Sequence, residues 1–178
     1  MTDLVDMLNF KNLGVLYKNG QIPCLLYADD VVLIANSEEQ LKSMLNVADD
    51  FVKKWGMTFN QDKSKIMVIG KRTDPNRKWL LGNHHLTECS EYKYLGIMFS
   101  KTLSDTYHIK SYLASKVSRL RGYLCSILSA HENVNRVSFG DSIWKSVILP
   151  SLSHGSAVWL NTTKEAVGAL SLDLCNIQ

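Results

Sequence analysis

The chain has 178 residues, enough for one ordinary domain or for two small lobes sharing a core. Hydrophobic residues make up 46% and charged residues 21%, with a mean hydropathy of −0.08, which excludes a disordered or membrane-spanning chain. The formal charge of +3 combines 12 basic and 12 acidic side chains in residues 1–100 with two basic stretches, 53–78 (net +6) and 101–121 (net +4). Those stretches suit a polyanion, and they suit a solvated face equally well.

The longest uncharged run, residues 146–163, contains Pro150, His154, Gly155 and several serines, so it reads as no transmembrane helix and no membrane partner is expected. The start, MTDLVDMLNF, carries Asp3 and Asp6 without a basic residue and is not a signal peptide; the expected location is intracellular, nuclear or cytoplasmic. Cys24, Cys89, Cys125 and Cys175 stand singly among apolar or small neighbours, which predicts buried free thiols rather than a zinc site or a disulfide framework. His84, His85, His108, His131 and His154 read as solvated or core histidines.

In chain order, the first clear element is CLLYADDVVLIA, two apolar arms (residues 24–28 and 31–35) interrupted by Asp29 and Asp30. It predicts a buried β-hairpin with a two-residue tip occupied by the two acids. A helix follows over residues 37–55. Ser37 and Gln40 form a capping-box pattern, and Leu41, Met44, Leu45, Ala48, Phe51, Val52 and Trp55 recur at three- and four-residue steps. Gly56 stands where a left-handed C-terminal cap belongs. MTFN (57–60) and KIMVIG (65–70) predict a short strand pair, and residues 92–99 predict one more strand with Gly96 inside it. From about residue 105 the pattern turns helical. Ile109, Leu113, Val117, Leu120, Leu124 and Leu128 form a stripe through Ser129. A second helix is predicted over 141–149, stopped by Pro150, and a third from Thr162. The fold class is α+β, with an α+β lobe over 1–100 and a helical lobe over 101–178.

Asp29-Asp30 carries the most chemistry. Adjacent carboxylates repel, burial would favour their protonation, and magnesium relieves both with hard-oxygen coordination. Neighbours on a regular strand face opposite ways, so two can serve one ion cluster only where the backbone bends. The plain alternative is that Asp is common in turns for its own conformational reasons.

An ordered series decides between these. Tyr27-Ala28-Asp29-Asp30 is followed by Gly56-Met57-Thr58-Phe59-Asn60-Gln61-Asp62-Lys63-Ser64-Lys65, then Glu91-Tyr92-Lys93-Tyr94-Leu95-Gly96, then the stretch from Leu149-Pro150 through Ser153-His154-Gly155 to Trp159. Over residues 3–160 this series resembles the C-terminal half of the reverse transcriptases of non-LTR (LINE-type) retrotransposons. The resemblance implies a partial polymerase palm of antiparallel hairpins packed on a helix (residues 1–100), then an all-helical thumb-like lobe (101–178). It makes Asp29 the principal ligand of Mg²⁺, with Mn²⁺ as an alternative, and Asp30 the second carboxylate in a two-metal reaction. Lys63, in the N-x-x-K-S-K pattern, would then serve the pyrophosphate leaving group. Lys65, Tyr94, Leu95 and Gly96 would contact nucleic acid, Gly96 allowing close backbone approach. The implied partner is an RNA template paired with a DNA primer.

The resemblance also implies a truncated enzyme. The family needs a further carboxylate on an earlier palm strand, and fingers for template and nucleotide. Only 28 residues precede Asp29, their acids being Asp3 and Asp6, and Thr2–Asp6 matches the stretch after the second palm motif. The expectation is therefore a polymerase relative inactive by itself, with self-association through the open palm face. The alternative is a non-catalytic nucleic-acid-binding or structural remnant of a retroelement.

Overall fold

The computed structural model describes residues 2–70, 77–104, 112–130 and 135–156. It divides into two compact units, one of residues 1–66 and 72–89 and the other of residues 67–71 and 90–178.

The first unit is built around α2 (Glu38–Lys54). The Ser37 side chain accepts from the Gln40 amide at 3.1 Å, and Gln40 Oε1 accepts from the Asn36 amide at 2.8 Å, so the capping box closes one residue further out than its usual form. At the other end Gly56, at φ +64°, sends its N–H to Lys53 O, and Met57 bonds Val52 O at 2.8 Å, the paired bonds of a Schellman cap. Met44, Val47, Phe51 and Val52 form the buried face and pack with Leu4 and Leu8 of α1 (Thr2–Phe10), a helix the sequence reading did not anticipate. Trp55 closes the predicted stripe yet is exposed, because the helix has turned out of the core by its C-cap.

Two hairpins connect α1 to α2: β1 (Val15–Tyr17) with β2 (Gly20–Ile22), and β3 (Cys24–Tyr27) with β4 (Asp30–Leu33). Val31 and Leu33 of β4 pack on the α1–α2 core, which fixes the face this hairpin turns inward. After α2, MTFN forms no strand, and KIMVIG supplies only β5 (Lys65–Ile66). That strand pairs in parallel with β7 (His84–Glu88), which pairs antiparallel with β6 (Trp79–Leu81). Buried Trp79 and Leu81 bring this small sheet against α2, and Trp79 Nε1 donates to Glu88 at 2.9 Å.

The second unit opens with β8 (Glu91–Tyr94) and β9 (Ile97–Ser100). The predicted single strand over 92–99 is thus a hairpin, because Leu95 and Gly96 both take positive φ (47° and 83°) and reverse the chain as a type I′ turn. Among the described residues its helices are α3 (Ala114–Ala130), α4 (Arg136–Ile143), a π-helical turn (Trp144–Ile148) and α5 (Leu149–Ser153). Val117, Leu124, Ile148 and Leu152 form their shared core. Ile109, the side chain of Leu128 and the helix predicted from Thr162 lie outside the described residues.

Pro150 does not stop the helix where expected. The chain enters a π-helical turn first, in which Leu149 N bonds Trp144 O, and Pro150 follows in the opening turn of α5 with the backbone still helical. Cys24 and Cys89 are half-buried, whereas Cys125 is exposed on α3 rather than buried. The architecture is α+β, as the residue pattern predicts. Among the described residues no helix is long and apolar enough to cross a membrane.

Candidate functional site

Tyr27 pairs with Asp30 in the β3–β4 ladder, so the two-residue tip is Ala28-Asp29 and not Asp29-Asp30. Ala28 takes φ +52° and Asp29 does not take positive φ, the signature of a type II′ turn. This register puts Leu26 and Val31 on one face, toward the core, and Leu25, Val32, Tyr27 and Asp30 on the other. Asp30 is therefore the first residue of β4, while Asp29 belongs to the turn.

Asp29 also lines a recess of about 130 Å³ whose other walls are Leu4, Val31, Phe51, Val52, Met57, Thr58 and Phe59. Both carboxylates are exposed, so water already relieves the repulsion and burial that the sequence reading invoked. What the hairpin supplies is two hard-oxygen donors on adjacent residues, Asp29 in the turn and Asp30 at the start of β4. That chemistry fits magnesium held by one or two carboxylates together with substrate phosphates. Among the described residues no group of three or more metal-ligating side chains occurs.

Thr58 and Phe59 carry the chain from this recess into the loop that holds Lys63. Asn60 organises that loop: its side chain accepts from the Lys63 amide at 3.2 Å, and its carbonyl accepts from Ser64 N at 3.0 Å and Ser64 Oγ at 2.7 Å. Lys65 is exposed on β5, and its Nζ donates to Thr87 Oγ1 at 2.9 Å across the parallel pair. Within the basic stretch, Lys53 is paired with Asp49 at 2.6 Å and Arg77 with Glu38 at 2.9 Å, so part of the +6 is spent inside the first unit.

In the second unit, Tyr94 and Ile97 close the β8–β9 ladder, with Leu95 and Gly96 at its apex. On the neighbouring β8 position Lys93 Nζ lies 5.0 Å from the centroid of the Tyr112 ring. A hydrogen bond with Lys93 pulls the Tyr112 phenol below its ordinary pKa; burial opposes this, and the charges of Lys93, Lys116 and Arg119 reinforce it. Sequence reasoning placed Lys116 and Arg119 only in a basic stretch. The spacing Tyr112, Lys116, Arg119 along one helical face was the available signal for this cluster.

A family profile described as "Reverse transcriptase (RNA-dependent DNA polymerase)" matches residues 1–99. The RNA-directed DNA polymerases from mobile element jockey of Drosophila melanogaster and Drosophila funebris are 25% and 23% identical over 75% and 79% of this chain. The chain spans only 15% and 16% of their lengths. An uncharacterised transposon-derived protein of Caenorhabditis elegans is 27% identical over 76% of this chain and 48% of its own. No solved structure matches the chain. With more than half of its residues matched, and with jockey polymerases as relatives, the chain belongs to the reverse transcriptase (RNA-dependent DNA polymerase) family, in its non-LTR retrotransposon branch.

Proposed function

We propose that the chain serves RNA-directed DNA synthesis, with residues 1–100 as part of the polymerase palm and 101–178 as the thumb. The observation that carries this reading is the tight Ala28-Asp29 turn, which sets Asp29 at a recess from which the chain runs on to Lys63, with the Asp30 carboxylate on the next residue, at the start of β4. Asp29 and Asp30 are the metal-binding pair. When bound there, Mg²⁺ or Mn²⁺ supplies the positive charge that eases deprotonation of the primer 3′-hydroxyl and departure of pyrophosphate. Lys63 offers a cation or a proton to the leaving group. Lys65 and the Tyr94-Leu95-Gly96 apex meet the backbone of an RNA template–DNA primer hybrid.

Polymerisation requires more than the Asp29-Asp30 pair supplies. Two carboxylates on one bend hold a divalent ion loosely, and a third is needed for a two-metal site. The 178-residue polypeptide therefore binds metal weakly and extends no primer by itself. The test is paramagnetic broadening by Mn²⁺ together with primer extension on a primed RNA template. The amide signals of Asp29 and Asp30 should broaden first, and Asp29→Asn should remove the effect. Broadening that ignores this substitution refutes the ligand assignment, and template-dependent extension abolished by Asp29→Ala refutes the inactivity. The cations around Tyr112 favour a second reading, a binder of hybrid that takes no part in synthesis. It requires an affinity that falls steeply as salt rises, without any role for Asp29.

A further inference from the structure

The segment Ser151–Gly155 belongs to a motif that the proposed catalysis leaves without a task. Its placement gives it one. His154 Nε2 lies 2.8 Å from the carbonyl oxygen of Leu95, 59 residues earlier in the chain. In a two-residue hairpin the ladder bonds are exchanged by the residues flanking the tip, here Tyr94 and Ile97, so the apex carbonyl has no ladder partner. A carbonyl only accepts, so Nε2 carries the proton. The contact survives in both the neutral Nε2–H tautomer and the imidazolium.

The packing around this bond is equally specific. Gly155 takes φ +77°, and a Cβ there would stand 2.7 and 2.8 Å from Cδ1 and Cγ1 of Ile97. A Cβ on Gly96 would stand 3.1 Å from His154 Nε2, so Gly96 makes both the turn and the seat for the ring. The other end of the segment is anchored on α3. Lys116 Nζ donates to Ser151 O at 2.6 Å, and Leu152 is buried against Val117, Leu124 and Ile148.

We propose that residues 151–155 are a latch on the apex of the β8–β9 hairpin and that His154 is a positioning residue. It holds Tyr94-Leu95-Gly96 in one shape for contact with nucleic-acid backbone, the contact itself resting on the function proposed above. The two sequence motifs, the Tyr94-Leu95-Gly96 apex and the Ser153-His154-Gly155 stretch, are on this account one physical device. The first presents the turn and the second fixes it to the helical core of the same unit.

The experiment compares the 178-residue chain with H154A, H154F and H154Q, by amide hydrogen exchange at Gly96 and Ile97 and by affinity for a primed RNA–DNA hybrid. Gln places an N–H donor near the position of Nε2, whereas Phe keeps the ring and lacks the donor. Exchange at the two amides should quicken about three- to tenfold in H154A and H154F, the factor carried by a single net hydrogen bond, and return toward the original rate in H154Q. Hybrid affinity should follow the same order. G155A should quicken the same amides without touching any donor. Unchanged exchange in H154A and H154F overturns the latch. Quickened exchange with undiminished hybrid affinity overturns the positioning role. If the unsubstituted chain fails to bind hybrid, the hairpin's proposed nucleic-acid function falls, and the exchange series still decides the latch.

Discussion

Substitution of Ala28 tests the register on which the acidic hairpin depends. At φ +52° the methyl group of Ala28 crowds its own backbone, at a cost of about 1–2 kcal/mol for a residue with a Cβ. Glycine removes that cost and returns about 0.5–1 kcal/mol of chain entropy to the unfolded state, so Ala28→Gly should stabilise the hairpin by up to about 1 kcal/mol. Valine is worse than alanine at positive φ because its branched Cβ meets the same crowding twice, and Ala28→Val should cost about 1–2 kcal/mol. The alternative register, with Asp29-Asp30 at the tip, would make Ala28 the last residue of β3 with ordinary extended φ. The signs then reverse: glycine destabilises by about 0.5–1 kcal/mol and valine is neutral or favourable. Urea unfolding combined with amide exchange of β3 and β4 reads both variants. A stabilising valine with a destabilising glycine would refute the observed register and return Asp30 to the tip.

Two further outcomes follow from the packing. Phe51 is 2% exposed in the α1–α2 core and also walls the recess beside Asp29, so Phe51→Ala should cost about 3–5 kcal/mol. That is a large share of a small domain's stability, and a urea midpoint shifted by the equivalent of less than about 1 kcal/mol would contradict the placement of Phe51. Tyr112 should ionise at lower pH than a free tyrosine, seen as phenolate absorbance lost in a Tyr112→Phe control, and Lys93→Met should move the transition upward. Because the folded value lies below the unfolded value of about 10, the linked stabilisation is absent at neutral pH. It grows as pH rises through the folded value and is complete above the unfolded one. An identical midpoint with and without Lys93 would remove the hydrogen bond as the cause.

The parts of the fold legible in the sequence are those where side chain and backbone signals coincide. Over α2, Ser37, Gln40, Gly56 and the Met44–Val52 stripe all ask for the same helix, and the structure delivers it within a residue. The hairpin around YADD was legible as an element because of its two apolar arms, but its tip was not. Period-two patterning sets faces, and a single residue of register depends on turn conformation, which Ala28 conceals because alanine carries no turn signal. The strands β1, β2, β6 and β7 are three to five residues long, too short for periodicity to stand out. MTFN reads as a strand from its apolar residues, yet those residues line the recess, since Met57 is still occupied in capping α2. By its sequence alone His154 reads as a solvated or core histidine. Nothing local in the sequence announces a partner 59 residues away, and only the coincidence of two motifs in one chain points to it.

Backbone strain links the two motif hairpins. The β6–β7 turn opens on Gly82, the comfortable choice at positive φ, whereas the β3–β4 and β8–β9 turns open on Ala28 and Leu95. Strain alone does not mark function, because Lys18 takes φ +51° in the β1–β2 turn, outside every motif. What distinguishes Ala28 and Leu95 is the group that each fixes in place. Ala28 immediately precedes Asp29, and the carbonyl of Leu95 receives the bond from His154. A residue with a Cβ has fewer alternative conformations than glycine, so once the surrounding packing forces it into the turn, the next group has less freedom to wander. Stability and site order therefore pull in opposite directions at Ala28. The glycine substitution that relaxes the turn should also weaken Mn²⁺ binding at Asp29. A gain in stability with no loss of metal affinity would mean that the strained alanine contributes nothing to the site.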